Sequence, residues 1–326
     1  MTAFVRPSSL VTRVLILILT ALLLFPLLLS CEKREGSEKN EIVCTIYPIY
    51  DFVLNVLGSR ASDYSVRLLS DDGNDPHNLQ PSVSDIAALS EAAIVFYVGG
   101  ASDAWIGELP ATSTVRVPLI DFVTVCESDH GEGHGHEGHD HGAYDEHFWL
   151  SLRSSAEAVE KILSVLSEVF SEDTEAVSAF LENARAYILA LTALDARYEA
   201  ALSEEKRTFD TLLVADRFPF LYLAHDYGLH FEAAFPGCSS ECDASFSTVI
   251  SLVSLLRDEG LPAVLVTETG AQDLAKTVIR EAGREDAKIL VLHSCQAVTA
   301  REIGSGITYL SIMEQNLSVL ISVLSE

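Results

Sequence analysis

Two long segments without Gly or Pro constrain the fold of this chain more than any other feature. They run over Leu152–Phe170 and Asp173–Ser203, and both are rich in Ala, Leu and Glu. In the second segment, apolar residues recur at spacings of three and four, as on one face of a helix. These residues are Leu181, Ala184, Ile188, Leu191 and Leu194. A helix of that length extends about 45 Å at 1.5 Å per residue, so it can span the full height of a two-lobed molecule.

Short apolar runs alternate with helical patterns on both sides of these segments. The predicted strands are 42–46, 64–69, 94–98 and 114–117, then 211–215, 230–234, 263–267 and 289–292. The predicted shorter helices are 49–57, 82–92, 246–259, 272–282 and 309–324. Ser82 followed by Asp85 resembles a capping box at a helix start. This alternation is typical of parallel α/β sheets, so we predict two α/β lobes of four strands each, joined by one long helix. The expected division is an N-terminal lobe at 42–150, linking helices at 151–205 and a C-terminal lobe at 206–326.

The first thirty residues are predicted to be a lipoprotein signal peptide. Arg6 and Arg13 accompany an apolar run that ends just before Cys31, and a polar tether at 31–41 follows. The ending Leu28-Leu29-Ser30-Cys31 resembles the bacterial lipobox, in which the cysteine is acylated. An uncleaved membrane anchor is the alternative, and both interpretations place the rest of the chain outside the cytoplasm, as a membrane lipoprotein that is periplasmic or at the cell surface.

The charge of the chain excludes nucleic acid as a partner. The formal net charge is −27, and it becomes −29 when the two arginines of the predicted signal are removed. Binding to phosphates requires clustered Lys and Arg, whereas an acidic surface favours solubility and attracts cations.

Three isolated histidines and one aspartate fall in similar places. His77 lies between a predicted strand and the helix that begins at Ser82, His147 precedes the first long helix, and His293 directly follows a strand. Asp216 follows the strand 211–215. Open α/β sheets bind ligands at the carboxyl ends of their strands, so these four side chains are candidates for a tetrahedral metal site. Taken singly, each histidine also fits a surface or capping role, and Asp216 fits an ion pair with Arg217.

A separate histidine-rich tract lies within residues 129–147. Its histidines alternate with Gly, Asp and Glu, and they are His130, His134, His136, His139 and His141. By composition the tract is a metal-gathering loop that is expected to bind several ions loosely.

Two groups of residues resemble the zinc- and manganese-binding lipoproteins of ABC transporters. They are Gly73, Pro76, His77, Pro81 and Asp85, then Asp145, His147, Trp149 and Leu150. The last helix, with Tyr309, Leu310, Met313, Asn316 and Leu317, resembles that family too. The resemblance covers roughly residues 42–324 and implies two lobes linked by a rigid helix, with the metal in the cleft between them.

The resemblance also implies the metal ligands. His77 and His147 match the two ligands of the N-terminal lobe. The family's third ligand, a His or Glu, is absent, and Asp216 is the expected replacement. The fourth, normally an Asp, is expected to be His293. Glu268 is expected to lie behind the ligands or to be structural.

Six cysteines complete the set of candidate residues. With Cys31 lipidated five remain, so at least one thiol is free. A disulfide between Cys238 and Cys295 is expected. One alternative is a local disulfide between Cys238 and Cys242, and another is that Cys295 binds the metal as a thiolate.

Three imidazoles and one carboxylate favour zinc over manganese. We therefore predict a monomeric, lipid-anchored binding protein, not an enzyme, that captures Zn²⁺ and passes it to the permease of an ABC importer. The alternatives are a manganese-binding protein of the same type, a zinc buffer without transport, and a zinc hydrolase. The sequence contains no His-Glu-x-x-His motif and no Gly-x-Ser-x-Gly motif for the hydrolase.

Overall fold

The computed structural model describes residues 40–70, 73, 77, 79–127, 144–236 and 244–325. All of them belong to one compact unit. The predicted signal peptide, Cys31, the five histidines of the 129–147 tract, Cys238 and Cys242 lie outside the described residues. In the part of the chain that is described, no helix has the length and apolar character needed to cross a membrane.

The N-terminal lobe is built on a parallel four-stranded sheet. Its strands are β1 (Glu41–Cys44), β2 (Ser65–Leu68), β3 (Ile94–Tyr97) and β4 (Val115–Pro118), in the order β2-β1-β3-β4. Two helices connect them, α1 (Tyr47–Leu57) and α2 (Val83–Glu91). Helix α2 begins at a complete capping box, because Ser82 accepts from the Asp85 amide and Asp85 accepts from the Ser82 amide. The helix therefore starts where the sequence predicts.

The C-terminal lobe repeats this plan. Its strands are β5 (Thr211–Phe218), β6 (His230–Pro236), β7 (Ala263–Val266) and β8 (Lys288–Val291), in the parallel order β6-β5-β7-β8. Its helices are α5 (Leu221–Asp226), α6 (Phe246–Asp258), α7 (Asp273–Ala282), α8 (Ala300–Gly304) and α9 (Tyr309–Leu324).

Two long helices join the lobes, α3 (Leu152–Val169) and α4 (Thr174–Ala201). Each begins with a side-chain cap that satisfies an otherwise unpaired amide, Ser151 for α3 and Asp173 for α4. Helix α4 is about 42 Å long at 1.5 Å per residue. It bonds to both halves of the molecule, since the Tyr187 hydroxyl donates to Asp51 of α1 and the Tyr198 hydroxyl donates to the Met313 carbonyl of α9.

One apolar core is shared by the two lobes. It takes the inner face of the first sheet (Ile42, Phe96), the inner face of the second (Leu212, Leu265), and the buried faces of α1, α3, α4 and α9. Each sheet has a smaller core of its own on the outer face, under α2 in the first lobe and under α6 and α7 in the second. The two-lobed α/β fold with a long linking helix, predicted from the sequence, is confirmed.

One boundary differs in a way that matters for the site. The sequence places Asp216 after a strand that ends at Ala215, but β5 continues to Phe218. Between Val214 and Arg217 the register against β6 shifts by one residue, so Asp216 lies at a β-bulge inside the strand. The bulge arises from the pairing of β5 with β6, and the pattern of apolar residues within β5 alone does not predict that pairing. The short helices α5 and α8 were also not predicted.

Candidate metal site

Two imidazoles meet at the carboxyl end of the first sheet. His77 and His147 have their Nε2 atoms 3.4 Å apart, with the ring planes inclined at 50°. His147 is almost fully buried, whereas His77 keeps about a fifth of its side chain exposed. The pair is therefore open to solvent on the His77 side alone.

The opposite nitrogen of each ring faces a carboxylate. The Nδ1 atom of His147 lies 2.8 Å from Asp145 Oδ1, and the Nδ1 atom of His77 lies 3.1 Å from Glu146 Oε1. A carboxylate accepts a hydrogen bond at this distance, so the proton of each neutral ring is placed on Nδ1. Both Nε2 lone pairs then point into the space between the rings, where a metal ion can share them.

Glu146 is held rigidly behind His77. Its Oε2 atom accepts from the backbone amide and the hydroxyl of Ser102, at 3.0 and 2.8 Å. Gly100 permits this approach, because a Cβ atom there would lie 2.2 Å from the same oxygen. Burial alone would raise the pKa of Glu146, but the hydrogen bond from His77 and the charge of both protonated imidazoles outweigh it and lower the pKa to about 2. Glu146 is thus a carboxylate throughout the physiological pH range.

The C-terminal lobe holds the loop that carries His147. Tyr222 of α5 donates its hydroxyl to the Asp145 carbonyl at 2.7 Å. Trp149, whose ring packs edge-on against that of His147, donates its indole N–H to the Ser294 carbonyl at 2.9 Å. On the other side, Gly73 lies against Thr299, since a Cβ atom there would be 2.7 Å from the methyl carbon of Thr299. The segments around both histidines therefore contact the second lobe. Asp145, before His147, contacts α5, whereas Gly73 and Trp149 contact the loop that follows β8.

The side chain of Asp216 is hydrogen-bonded within the second lobe. Its Oδ2 atom accepts from the amide and the hydroxyl of Thr267, at 2.9 and 2.6 Å, and its Oδ1 atom accepts from the Arg217 amide. Gly270 closes over this carboxylate, because a Cβ atom there would lie 1.9 Å from Oδ2. Asp216 thus fastens the bulge of β5 to the turn after β7.

His293 and Glu268 form a second group, at the end of β8. The Nδ1 atom of His293 accepts from the Cys295 amide at 2.9 Å, so the neutral ring carries its proton on Nε2. Glu268 accepts from the amide and hydroxyl of Ser294 at 2.8 and 2.6 Å, and lies 3.5 Å from His293 Nδ1. Its role here is to hold the turn after β8.

Of the four predicted ligands, the structure brings His77 and His147 together and leaves the other two apart. Among the described residues, no three His, Cys, Asp or Glu side chains are grouped so that they share one ion. Ligation by Asp216 and His293 stays a prediction, and for His293 it requires that the ring lose its proton from Nε2 or give up the hydrogen bond at Nδ1.

The predicted disulfide is not present in the structure. Cys295 is a free thiol inside the shared core, with no exposed surface, and Cys238 lies outside the described residues. Burial raises the pKa of the Cys295 thiol well above its ordinary value, which also opposes the alternative of a thiolate ligand. Cys44 and Cys126 are free as well.

Sequence reasoning missed Glu146 as a partner of His77. The only signal was its position directly before His147 in Asp145-Glu146-His147. An acid next to a histidine in sequence does not reveal that its side chain reaches the other histidine, seventy positions earlier.

Comparison with known proteins gives consistent matches over this fold. The profile of the family described as "Zinc-uptake complex component A periplasmic" matches residues 42–323. The zinc-binding lipoprotein AdcA of Streptococcus pneumoniae is 32% identical over 312 residues, which are 93% of this chain and 60% of AdcA. The chain thus spans about 60% of the length of the AdcA relatives that it matches.

Two further matches extend over most or all of the matched chain. The high-affinity zinc uptake system protein ZnuA of Bacillus subtilis is 27% identical over 292 residues, covering 87% of both chains. The crystal structure of the Zn(II)-bound ZnuA-like domain of S. pneumoniae AdcA is similar with a TM-score of 0.69 and 28% identity, over 88% of this chain and 100% of that domain.

Proposed function

This chain belongs to the family described as zinc-uptake complex component A periplasmic, and on that premise we propose that it captures Zn²⁺ outside the cytoplasm and delivers it to the permease of an ABC importer. His77 and His147 are the residues that first hold the ion. The zinc-binding and zinc-uptake names of its relatives support this role.

The distance between the two imidazole nitrogens carries the proposal. Zinc binds imidazole nitrogen at about 2.0–2.1 Å with tetrahedral geometry, so two nitrogens on one ion are separated by about 3.3–3.4 Å. The Nε2 atoms of His77 and His147 are 3.4 Å apart. The pair is therefore spaced for one tetrahedral ion, and imidazole ligands favour zinc over manganese.

The remaining parts of the chain extend this function. The acidic surface attracts cations, the 129–147 tract with its five histidines gathers them, and Cys31 carries a lipid that keeps the protein, as a monomer, at the membrane near the permease. The tract binds several ions weakly, and the His77–His147 pair binds one ion tightly. Asp216 and His293 complete the shell only if they turn toward the pair.

A zinc titration of the purified full chain, in competition with a chromophoric chelator, tests the proposal. We expect one tight site that is lost in His77→Ala and in His147→Ala, while His225→Ala, at an exposed histidine, keeps it. Deletion of residues 130–141 is expected to remove weak sites and leave the tight one.

The reverse pattern would overturn the proposal. If tight binding disappeared with residues 130–141 and persisted in both point variants, the chain would be a zinc buffer built on the tract. Tighter binding of Mn²⁺ than of Zn²⁺ in the same competition would contradict the choice of metal.

A further inference from the structure

The chain from Asp145 to Ser151, here called the His147 segment, is bonded at both of its ends to one short helix of the second lobe. At the first end, Tyr222 of α5 donates its hydroxyl to the Asp145 carbonyl at 2.7 Å. At the other end, Ser151 donates its hydroxyl to Asp226 Oδ2 at 2.6 Å. Tyr222 is the second residue of α5 and Asp226 is the last. The whole length of α5 therefore holds the segment.

The bond at the first end is passed on directly to the imidazole. Asp145 Oδ1 accepts from the backbone amide of His147 and lies the same distance, 2.8 Å, from its Nδ1 atom. The main chain of Asp145 is thus held by Tyr222, while its side chain holds the ring of His147. A displacement of Asp145 would move the ring or break its hydrogen bond.

The His147 segment is also bonded to the first lobe. Glu146 accepts from the amide and the hydroxyl of Ser102 with one oxygen, and its other oxygen faces His77. The segment therefore bridges the two lobes, and neighbouring residues in it, Asp145 and Glu146, are tied to opposite sides.

The hydroxyl of Tyr222 has a fixed position in the second lobe. Tyr222 is only 1% exposed, and the next residue, Leu223, is fully buried. Strand β5 ends at Phe218 and α5 begins at Leu221, so a short connection joins the helix to the sheet. Close packing leaves such a buried side chain little freedom to move. Because two imidazole nitrogens on one tetrahedral zinc ion are separated by about 3.3–3.4 Å, the site tolerates little displacement of the ring that Tyr222 helps to hold.

We propose that α5 is a latch for the His147 segment, in which Tyr222 acts as a positioning residue that slows the dissociation of zinc from the His77–His147 pair. This inference rests on the proposed function, since it requires zinc on that pair. An ion leaves a site of two imidazoles when one ring moves away, and the bond from Tyr222 to Asp145 opposes that movement for His147. Separation of α5 from the segment is then a route by which movement of the second lobe releases the ion.

The test compares two tyrosines of the second lobe that each lose one hydroxyl group. Tyr222→Phe removes the bond to Asp145 and keeps the ring, whereas Tyr227→Phe removes a bond of 2.8 Å from another buried tyrosine to Asp195 of α4. The full chain, loaded with one equivalent of zinc, is mixed with excess chelator in a stopped-flow instrument, and zinc association is measured in a parallel series. We expect dissociation to be about fivefold faster in Tyr222→Phe, which corresponds to the loss of one hydrogen bond worth about 1 kcal/mol, and to be unchanged in Tyr227→Phe.

Urea unfolding of the metal-free proteins separates positioning from a general loss of stability, and we expect both variants to lose a similar free energy of unfolding. Dissociation from Tyr222→Phe at the rate of the parent protein would overturn the inference, and so would an equal acceleration in Tyr227→Phe. Slower association with unchanged dissociation would overturn it as well. Absence of a tight zinc site in the parent protein, or its survival in His147→Ala, would instead overturn the proposed function itself.

Discussion

Replacing Glu146 by Gln tests the reasoning about the imidazole pair most directly. Glu146 accepts on both sides, from His77 on one oxygen and from Ser102 on the other. A glutamine keeps one accepting oxygen and gains an NH₂ group that can only donate. If the oxygen stays with Ser102, the NH₂ group faces His77 and moves the imidazole proton to Nε2, the atom that should bind zinc.

The magnitude follows from this change of tautomer. Loss of a carboxylate behind a metal-bound histidine typically weakens metal binding by about 10- to 100-fold, or about 1.4 to 2.8 kcal/mol. Because Glu146 is buried and its pKa is held at about 2, solvent provides little compensation, so we expect the upper half of that range.

The assay is competition for Zn²⁺ at neutral pH, combined with ¹⁵N NMR of the histidine rings to report the tautomer of His77. Glu160→Gln, at an exposed position of α3, is the matched control and should behave like the parent protein. Zinc affinity within twofold of the parent in Glu146→Gln, or an unchanged His77 tautomer, would refute the reasoning.

Three further predictions concern the surroundings of the site. Asp216→Asn should lower the free energy of unfolding by about 1–3 kcal/mol in urea, because the NH₂ group of the asparagine would face the Thr267 amide and hydroxyl, which donate in the parent protein. The variant should still bind one zinc ion, and loss of zinc from a folded variant would instead make Asp216 a ligand. Tyr309→Phe removes a buried hydroxyl that donates to the Trp149 carbonyl, so it should cost about 1–2 kcal/mol in urea unfolding, whereas Tyr144→Phe, at an exposed tyrosine, should cost almost nothing; equal costs would contradict this. Burial raises the pKa of Asp103 from 3.8 to about 6, so the folded state holds this proton more tightly than the unfolded state. Asp103 should therefore contribute on the order of 3 kcal/mol less to stability at pH 7 than at pH 3. Urea unfolding across pH 3–7 should show this fall relative to Asp103→Asn, and parallel pH profiles of the parent and the variant would exclude it.

Most of the fold follows from local sequence patterns, and the exceptions have a common cause. The eight predicted strands and seven predicted helices are present, because hydrophobic periodicity and caps such as Ser82 act within a few residues. The end of β5 was placed too early, because the bulge at Asp216 arises from its pairing with β6. Pairing between strands is not encoded in the spacing of one segment.

The site was predictable to the same extent. His77 was placed between a strand and a helix, His147 was placed just before a long helix, and both match the motifs of a family. The structure brings these two rings together. For Asp216 and His293, the residue types suggest ligands, but the sequence does not reveal the hydrogen bonds to Thr267 and Cys295 that fix the orientation of the carboxylate and the tautomer of the ring. Those bonds depend on how three strand ends are arranged in space.

The shared core has a consequence for how this chain can be divided. Because α1 and α3 bury their apolar faces against α4 and α9, neither half of the chain can bury its own apolar surface alone. The turn between α3 and α4 is nevertheless exposed at Ser171 and Glu172, so a cut between these two residues removes no buried side chain. Two fragments cut there should remain disordered when separate and fold upon mixing, so that reassembly of the halves restores the contact between Trp149 and Ser294 beside the imidazole pair.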